Sequence, residues 1–281
     1  MAPITLHSGY LGPKYLDPDY LDDDDDLDDD LDDDDLDDYL GFSCLGSAEH
    51  RVAGMSLFQY ANLLSPQMFV DEDDERRIFN PRWLRLDPAT VENLTTYNAE
   101  AGITHTKFFV INEREPRVDK HTLLVRVRGI YKNDDRRTPG SAGEAAIGVY
   151  FGPGSPHNFA ARVPASRPQT RRFADIYAVR MALLRVRGRW RNDHSISTVH
   201  VVTDSKYVVQ ALSGDIEEWR VNGFQDEQGE KIPNHSEIEN LDRLMLELAE
   251  DGVEASFWPV GDLENQEADR LARDVLGLPP H

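Results

Sequence analysis

Alternating apolar and polar positions mark the strands in the second half of the chain. In "TLLVRVRGIY" (122–131), Val125 and Val127 fall on one face of an extended segment, and Arg126 and Arg128 fall on the other. Two more apolar runs follow, and the short connections between the three runs favour antiparallel neighbours. The predicted strands cover 122–131, 145–152 and 158–164.

A helical period begins at residue 171, after which strands alternate with helices. "RRFADIYAVRMALLRV" (171–186) places Phe173, Ile176 and Tyr177 on one stripe, and "TVHVV" (198–202) is typical of a buried strand. The order β-β-β-α-β-α-α-β-α predicts an α/β fold with a mixed sheet flanked by helices. The later elements are helices over 205–214, 236–252 and 265–277 and a strand over 253–260.

The first 120 residues have a different character. Residues 1–40 contain "LDDDDDLDDDLDDDDLDDYL" (21–40), and like charges at this density repel, so we expect a low-complexity, disordered tail. Its recurring leucines also allow, without requiring, an acidic segment that engages a protein partner or imitates nucleic acid. Residues 41–119 contain a predicted strand over 105–113 and no chemical motif. The predicted domains are the tail 1–40, an extension 41–119 and an α/β domain 120–281.

The overall charge of the 281 residues hides a basic middle. Between Leu16 and Leu40 there are 16 aspartates, and setting them aside reduces the net charge from −22 to −6. Residues 121–200 carry 14 Lys and Arg against 5 Asp and Glu, which suits a nucleic-acid partner better than the global charge suggests.

The sequence predicts neither a membrane span nor a disulfide bond. There is no run of 18 apolar residues and no secretory signal at the N-terminus, so we predict no membrane span and an intracellular protein, in the cytoplasm or the nucleus. Cys44 is the single cysteine, which excludes internal disulfides and cysteine zinc clusters.

Three aspartates are placed for chemistry. Asp204 follows the strand "TVHVV" and opens a helix, where it is either the helix N-cap or a ligand at a strand end. Asp175 and Asp269 lie beside small apolar residues on helix faces that should pack, where a lone carboxylate is costly unless it is paired or binds a metal. Carboxylates converging from three elements would suit Mg²⁺.

Three ordered motifs follow one another in the second half of the chain: "TDSKYVVQAL" (203–212), "EEWRVNGFQDEQGEKIPN" (217–234) and "NQEADRLA" (265–272). Together they resemble the ribonuclease H type 1 family over about residues 120–278, and "RRFADIYAVRMAL" (171–183) is similar to the family's acidic helix. The resemblance implies a five-stranded mixed sheet. It also implies an endonuclease that cleaves the RNA strand of an RNA–DNA hybrid with two Mg²⁺ (or Mn²⁺) ions.

The resemblance implies that Asp175, Asp204 and Asp269 are the catalytic, metal-binding carboxylates. Asp175 stands where the family usually has Glu. The first carboxylate of the family is replaced by Arg128, and "PVGDLENQEAD" (259–269) lacks the family's loop histidine. An arginine where two dications need negative charge predicts lost or reduced cleavage, with Arg128 paired to one of the aspartates.

Two alternatives stay open at this point. Asp134, Asp135 or Glu144 could supply a substitute ligand, which would leave an active hybrid ribonuclease. The chain could instead be a non-enzymatic interaction protein that acts through its acidic tail.

The same resemblance suggests residues that contact nucleic acid. Arg128, Gln169, Arg172, Asn222 and Asn234 lie in or next to segments similar to those that face the hybrid in the family. Such contacts to phosphate and sugar fix register and orientation without reading bases. The predicted partner is therefore an RNA–DNA hybrid or another nucleic acid.

Overall fold

The computed structural model describes residues 77–84, 89–110, 113–133, 143–190 and 195–280. The acidic tail 1–40, with its predicted disorder, and the candidate ligands Asp134 and Asp135 lie outside these ranges. The strands are β1 (Thr95–Asn98), β2 (Ile103–Phe108), β3 (Arg117–Lys132), β4 (Glu144–Tyr150), β5 (Phe159–Arg162), β6 (Thr198–Thr203) and β7 (Glu254–Pro259). The helices are α1 (Val91–Leu94), α2 (Arg171–Trp190), α3 (Lys206–Val209), α4 (Ile216–Asn222), α5 (His235–Glu250) and α6 (Gln266–Leu276).

The predicted α/β fold with a mixed sheet is confirmed. β3, β4 and β5 pair antiparallel in succession, whereas β6 pairs parallel with both β3 and β7. The five strands expected after residue 120 are β3 to β7, and β1 and β2, which precede them, form a hairpin that joins the same sheet. β2 and β4 occupy successive halves of one edge of β3, since β6 lies on the other edge.

Alternation along β3 separates the two faces of the sheet. Leu123, Val125 and Val127 are buried against α2 and α5 in the largest hydrophobic cluster. Leu124 and Ile130 point to the opposite face, where they belong to two smaller clusters. Arg126 and Arg128 share that second face, as the alternating pattern predicts.

Part of the second face is covered by residues that precede β1. Phe79, Leu84 and Val91 pack with Trp258 and Leu94 in one of those smaller clusters. The backbone N–H of Phe79 donates to the carbonyl of Phe257 on β7 at 2.7 Å, which fixes the segment along the sheet edge. The predicted extension 41–119 therefore supplies both strands and core side chains to the fold.

Two predicted elements differ in their ends. The strand expected over 105–113 spans Ile103–Phe108, and the helix expected over 205–214 is a short α-helix, α3, that continues as a π-helical turn over Gln210–Gly214. The other predicted helices agree with α2, α5 and α6 within four residues at each end. No helix in the described ranges is both long and apolar enough to cross a membrane.

Candidate functional site

The parallel ladder between β3 and β6 brings Arg128 and Asp204 together. Its last pair joins Arg126 to Val202, so Arg128 and Asp204 each lie two residues farther along neighbouring strands. Because side chains alternate along a strand, both emerge on the same face of the sheet. This is the carboxyl end of β6, where ligands bind in open α/β sheets.

Helix α6 brings Asp269 to the same place. Gly148 of β4 has no side chain, and a Cβ there would collide with the backbone carbonyl oxygen of Ala268. The helix therefore lies directly on the strand, with Ala268 and Ala272 buried at the contact. Asp269 follows Ala268 and is carried towards the end of β3.

The Arg128 guanidinium lies between the two aspartates. Its Nη1 atom forms an ion pair with Oδ2 of Asp204, and its Nε atom lies 3.4 Å from Oδ1 of Asp269. The three side chains are 8%, 3% and 9% exposed, respectively, so the contact is almost free of solvent. The expected pairing of Arg128 with the aspartates is confirmed. Burial lowers the pKa of Arg128, and the neighbouring Arg171 lowers it further.

Asp175 reaches the site from the other face of the sheet. Gly129 allows this, since a Cβ at that position would collide with the backbone of α2 at Asp175. Oδ1 of Asp175 accepts a hydrogen bond from the Gly129 N–H at 2.9 Å. Burial raises the pKa of Asp175, against the opposing effect of a hydrogen bond from Ser205 and of Arg171 and Arg128.

Asp204 is not the N-cap of the helix that follows it. The helix begins at Lys206 with Ser205 at the cap position, and Oδ1 of Asp204 accepts a hydrogen bond from Nδ2 of Asn265 at 2.6 Å. The same nitrogen donates to the carbonyl of Val127 at 2.9 Å, so Asn265 ties α6 to both strands.

Three side chains of the site had no role in the sequence prediction. Besides Asn265, Arg273 donates from Nε to Oδ2 of Asp269 at 2.6 Å, and Asp262 lies 3.1 Å from Nη1 of Arg128. Asn265 is the first residue of the "NQEAD" motif, and this position is the sequence signal that could have identified it as a site residue. Arg273 follows Asp269 by one helical turn, a spacing that favours an ion pair.

The carboxylates fit poorly as ligands of two metal ions. Arg128 forms an ion pair with Oδ2 of Asp204 and lies near Oδ1 of Asp269, whereas Asn265 and Arg273 donate hydrogen bonds to the other oxygen of Asp204 and of Asp269, respectively. Within the described ranges, no three acidic, histidine or cysteine side chains are arranged to hold a metal ion. Glu144, a proposed substitute ligand, pairs instead with Arg162.

The candidate nucleic-acid residues fall into two groups. Arg172, Asn222 and Asn234 lie at or near the surface, and the Arg172 guanidinium stands 5.3 Å from the ring of Tyr207. Gln169 is engaged inside the fold, because its Oε1 atom accepts from the Ala145 N–H at 2.9 Å and its Nε2 atom donates to backbone carbonyls.

Arg128 belongs with Gln169 in the internal group. Its burial and its ion pairs set it apart from the surface residues, and its contact with nucleic acid stays a prediction.

Fold and site together define a three-layer α/β domain with clustered carboxylates at the end of two parallel strands. The RNase H family model matches residues 135–276, and the chain belongs to the RNase H family. That family is in general metal-dependent. The chain resembles human ribonuclease H1, with 30% identity over 156 residues, which is 54% of this chain and 49% of the relative. Mouse ribonuclease H1 is 31% identical over 134 residues, 46% of this chain and 43% of its own length.

Solved structures show the same likeness at lower identity. RNase H1 from the archaeon Halobacterium salinarum is 19% identical, with 56% of this chain and 98% of that chain covered and a TM-score of 0.35. LC11-RNase H1 in complex with an RNA/DNA hybrid is 18% identical, with 55% and 96% covered and a TM-score of 0.38. The chain spans about half the length of the curated relatives it matches.

Proposed function

We propose that this chain binds RNA–DNA hybrids and does not cleave them. Membership of the RNase H family and the likeness to curated ribonuclease H1 support the hybrid as the ligand. The observation that supports the absence of cleavage is the position of the Arg128 guanidinium between Asp204 and Asp269.

The charge at the site opposes the binding of two metal ions. Two-metal hydrolysis needs carboxylates that hold two cations, which activate the attacking water and stabilise the leaving oxygen. Here the guanidinium groups of Arg128 and Arg273 already compensate the charges of Asp204 and Asp269. Asp204 and Asp269 therefore act as structural partners of Arg128, and Asp175 holds the Gly129 backbone.

Surface residues supply the binding. Arg172, Asn222 and Asn234 are the proposed contacts to the sugar-phosphate backbone, whereas Gln169 ties the segment that leads into α2 to β4. A hybrid bound through its sugar-phosphate backbone is recognised by its shape and its 2′-hydroxyls more than by its base sequence.

The test combines a binding titration and a cleavage assay on the wild-type chain. We expect a fluorescently labelled hybrid to bind and to remain uncut in Mg²⁺ and in Mn²⁺, because the carboxylates are already neutralised. The variant Arg128→Asp is expected to gain metal-dependent cleavage, and Arg126→Asp, with the same charge change on the same face of β3, is the matched control.

Cleavage by the wild-type chain that disappears in EDTA and in Asp204→Asn would contradict the proposal. Failure of the wild-type chain to bind any hybrid would contradict its first half.

A further inference from the structure

We infer that the domain binds the nucleic-acid backbone without a divalent cation, and that Arg171 donates directly to one of its phosphates. The inference rests on the proposed function and concerns the same site. It follows from the way three arginines share the carboxylate oxygens.

The site carries its own counter-ions. Arg128 lies between Asp204 and Asp269, and Arg273 holds the remaining oxygen of Asp269. Without such cations, buried carboxylates at a phosphate-binding surface would repel the backbone, and a divalent ion would be needed between them. Here the negative charge is compensated within the protein.

Two neighbouring arginines have different roles. Arg128 is buried and fixed by ion pairs, so it compensates charge from within. Arg171 begins α2 and is 56% exposed, and its Nη2 atom lies 3.7 Å from Oδ2 of Asp204. This contact is an ion pair that is longer than a hydrogen bond, so the N–H groups of Arg171 can still donate to a ligand.

Arg171 belongs to a basic rim that also contains Arg172 and Lys206. The exposed side chain of Arg172 follows it on α2, and Arg172 stands over Tyr207, which is next to the exposed Lys206. Acidic side chains also border the rim, and Glu264 lines the same pocket as Lys206 and Asp204. Asp262 is 76% exposed at the mouth of the site, and its carboxylate is turned towards Arg128. The rim therefore presents three cations to an approaching polyanion, and a phosphate diester backbone fits that charge.

The experiment is a titration of a labelled RNA–DNA hybrid with the full chain, in excess EDTA and in Mg²⁺ at matched ionic strength. We expect dissociation constants that agree within about twofold. Arg171→Gln is expected to weaken binding about 3- to 10-fold and to reduce the slope of log K against log salt by about 0.9, the effect of one lost phosphate contact. Arg243→Gln, the same change at an exposed position of α5, is the control and should match the wild type.

The outcomes distinguish the two proposals. Binding that requires Mg²⁺ would overturn the inference and leave hybrid binding itself intact. Equal affinities and salt slopes for Arg171→Gln and Arg243→Gln would overturn the assignment of Arg171. No binding of the hybrid under any condition would overturn the proposed function as well.

Discussion

Replacing Arg128 by methionine is expected to lower the free energy of unfolding by about 3–5 kcal/mol, the usual cost of removing one partner from a buried ion pair. Methionine keeps much of the length and packing of the side chain and removes the charge. Asp204 and Asp269 would then stay buried without their shared counter-ion. Chemical denaturation monitored by circular dichroism measures the change.

The matched control is Arg126→Met on the same face of the same strand. Arg126 donates to the backbone carbonyl of Glu264 and pairs with Glu92, whose side chain is 61% exposed. An interaction with an exposed carboxylate contributes little, so a loss of about 1 kcal/mol is expected. The additional change Asp204→Asn should recover part of the loss in Arg128→Met. Equal losses in the two single variants would refute the role assigned to Arg128.

Acidification is expected to destabilise the fold through His200 on β6. Burial lowers the pKa of this imidazole from 6.5 to about 3. Its Nδ1 atom lies 2.8 Å from Oγ of Ser256, and its ring centroid lies 4.1 Å from that of Phe79. The folded state therefore keeps His200 neutral at a pH where the unfolded chain takes up a proton.

The sign of the effect follows from proton linkage. The contribution is fully present above pH 6.5, and it is lost as the pH falls towards about 3. Each pH unit below 6.5 lowers the free energy of unfolding by about 1.4 kcal/mol. Between pH 6.5 and about 3 the loss amounts to roughly 4–5 kcal/mol.

The non-titrating variant His200→Gln isolates this term. It is expected to be less stable than the wild type at neutral pH, and the difference should shrink as the pH falls, because the wild type alone carries the histidine penalty. Urea unfolding at a series of pH values gives both curves. Parallel curves for the two proteins would show that His200 does not titrate in this way.

The sequence predicted most of the second half of the fold because its periodicities are strong. The alternation of Val125 and Val127 with Arg126 and Arg128 placed the two faces of β3 correctly. Strand β1 and its hairpin with β2 were missed, since "TTYNAEAGITH" (95–105) lacks a long alternating run. The covering segment around Phe79 was missed for a related reason. Its apolar residues are widely spaced and interrupted by prolines, so only tertiary packing reveals their shared face.

The candidate site was predictable in its residues and only partly in its bonding. Strand ends and motifs pointed to Asp204 and Asp269, and the charge of Arg128 suggested an ion pair. The contact of Asp262 with Arg128 could not be foreseen, because it depends on the path of the turn that precedes α6. The double role of Asn265 likewise depends on the approach of α6 to β3 across Gly148.

The central claim is that Arg128 takes the place of metal ions between the carboxylates. Its most direct test is a Mn²⁺ titration of the wild-type chain and of Asp204→Asn, followed by electron paramagnetic resonance. Because the aspartate tract attracts cations equally in both proteins, the difference between the titrations isolates the site. The account predicts identical binding curves. Tight Mn²⁺ binding by the wild type that is absent from Asp204→Asn would contradict it.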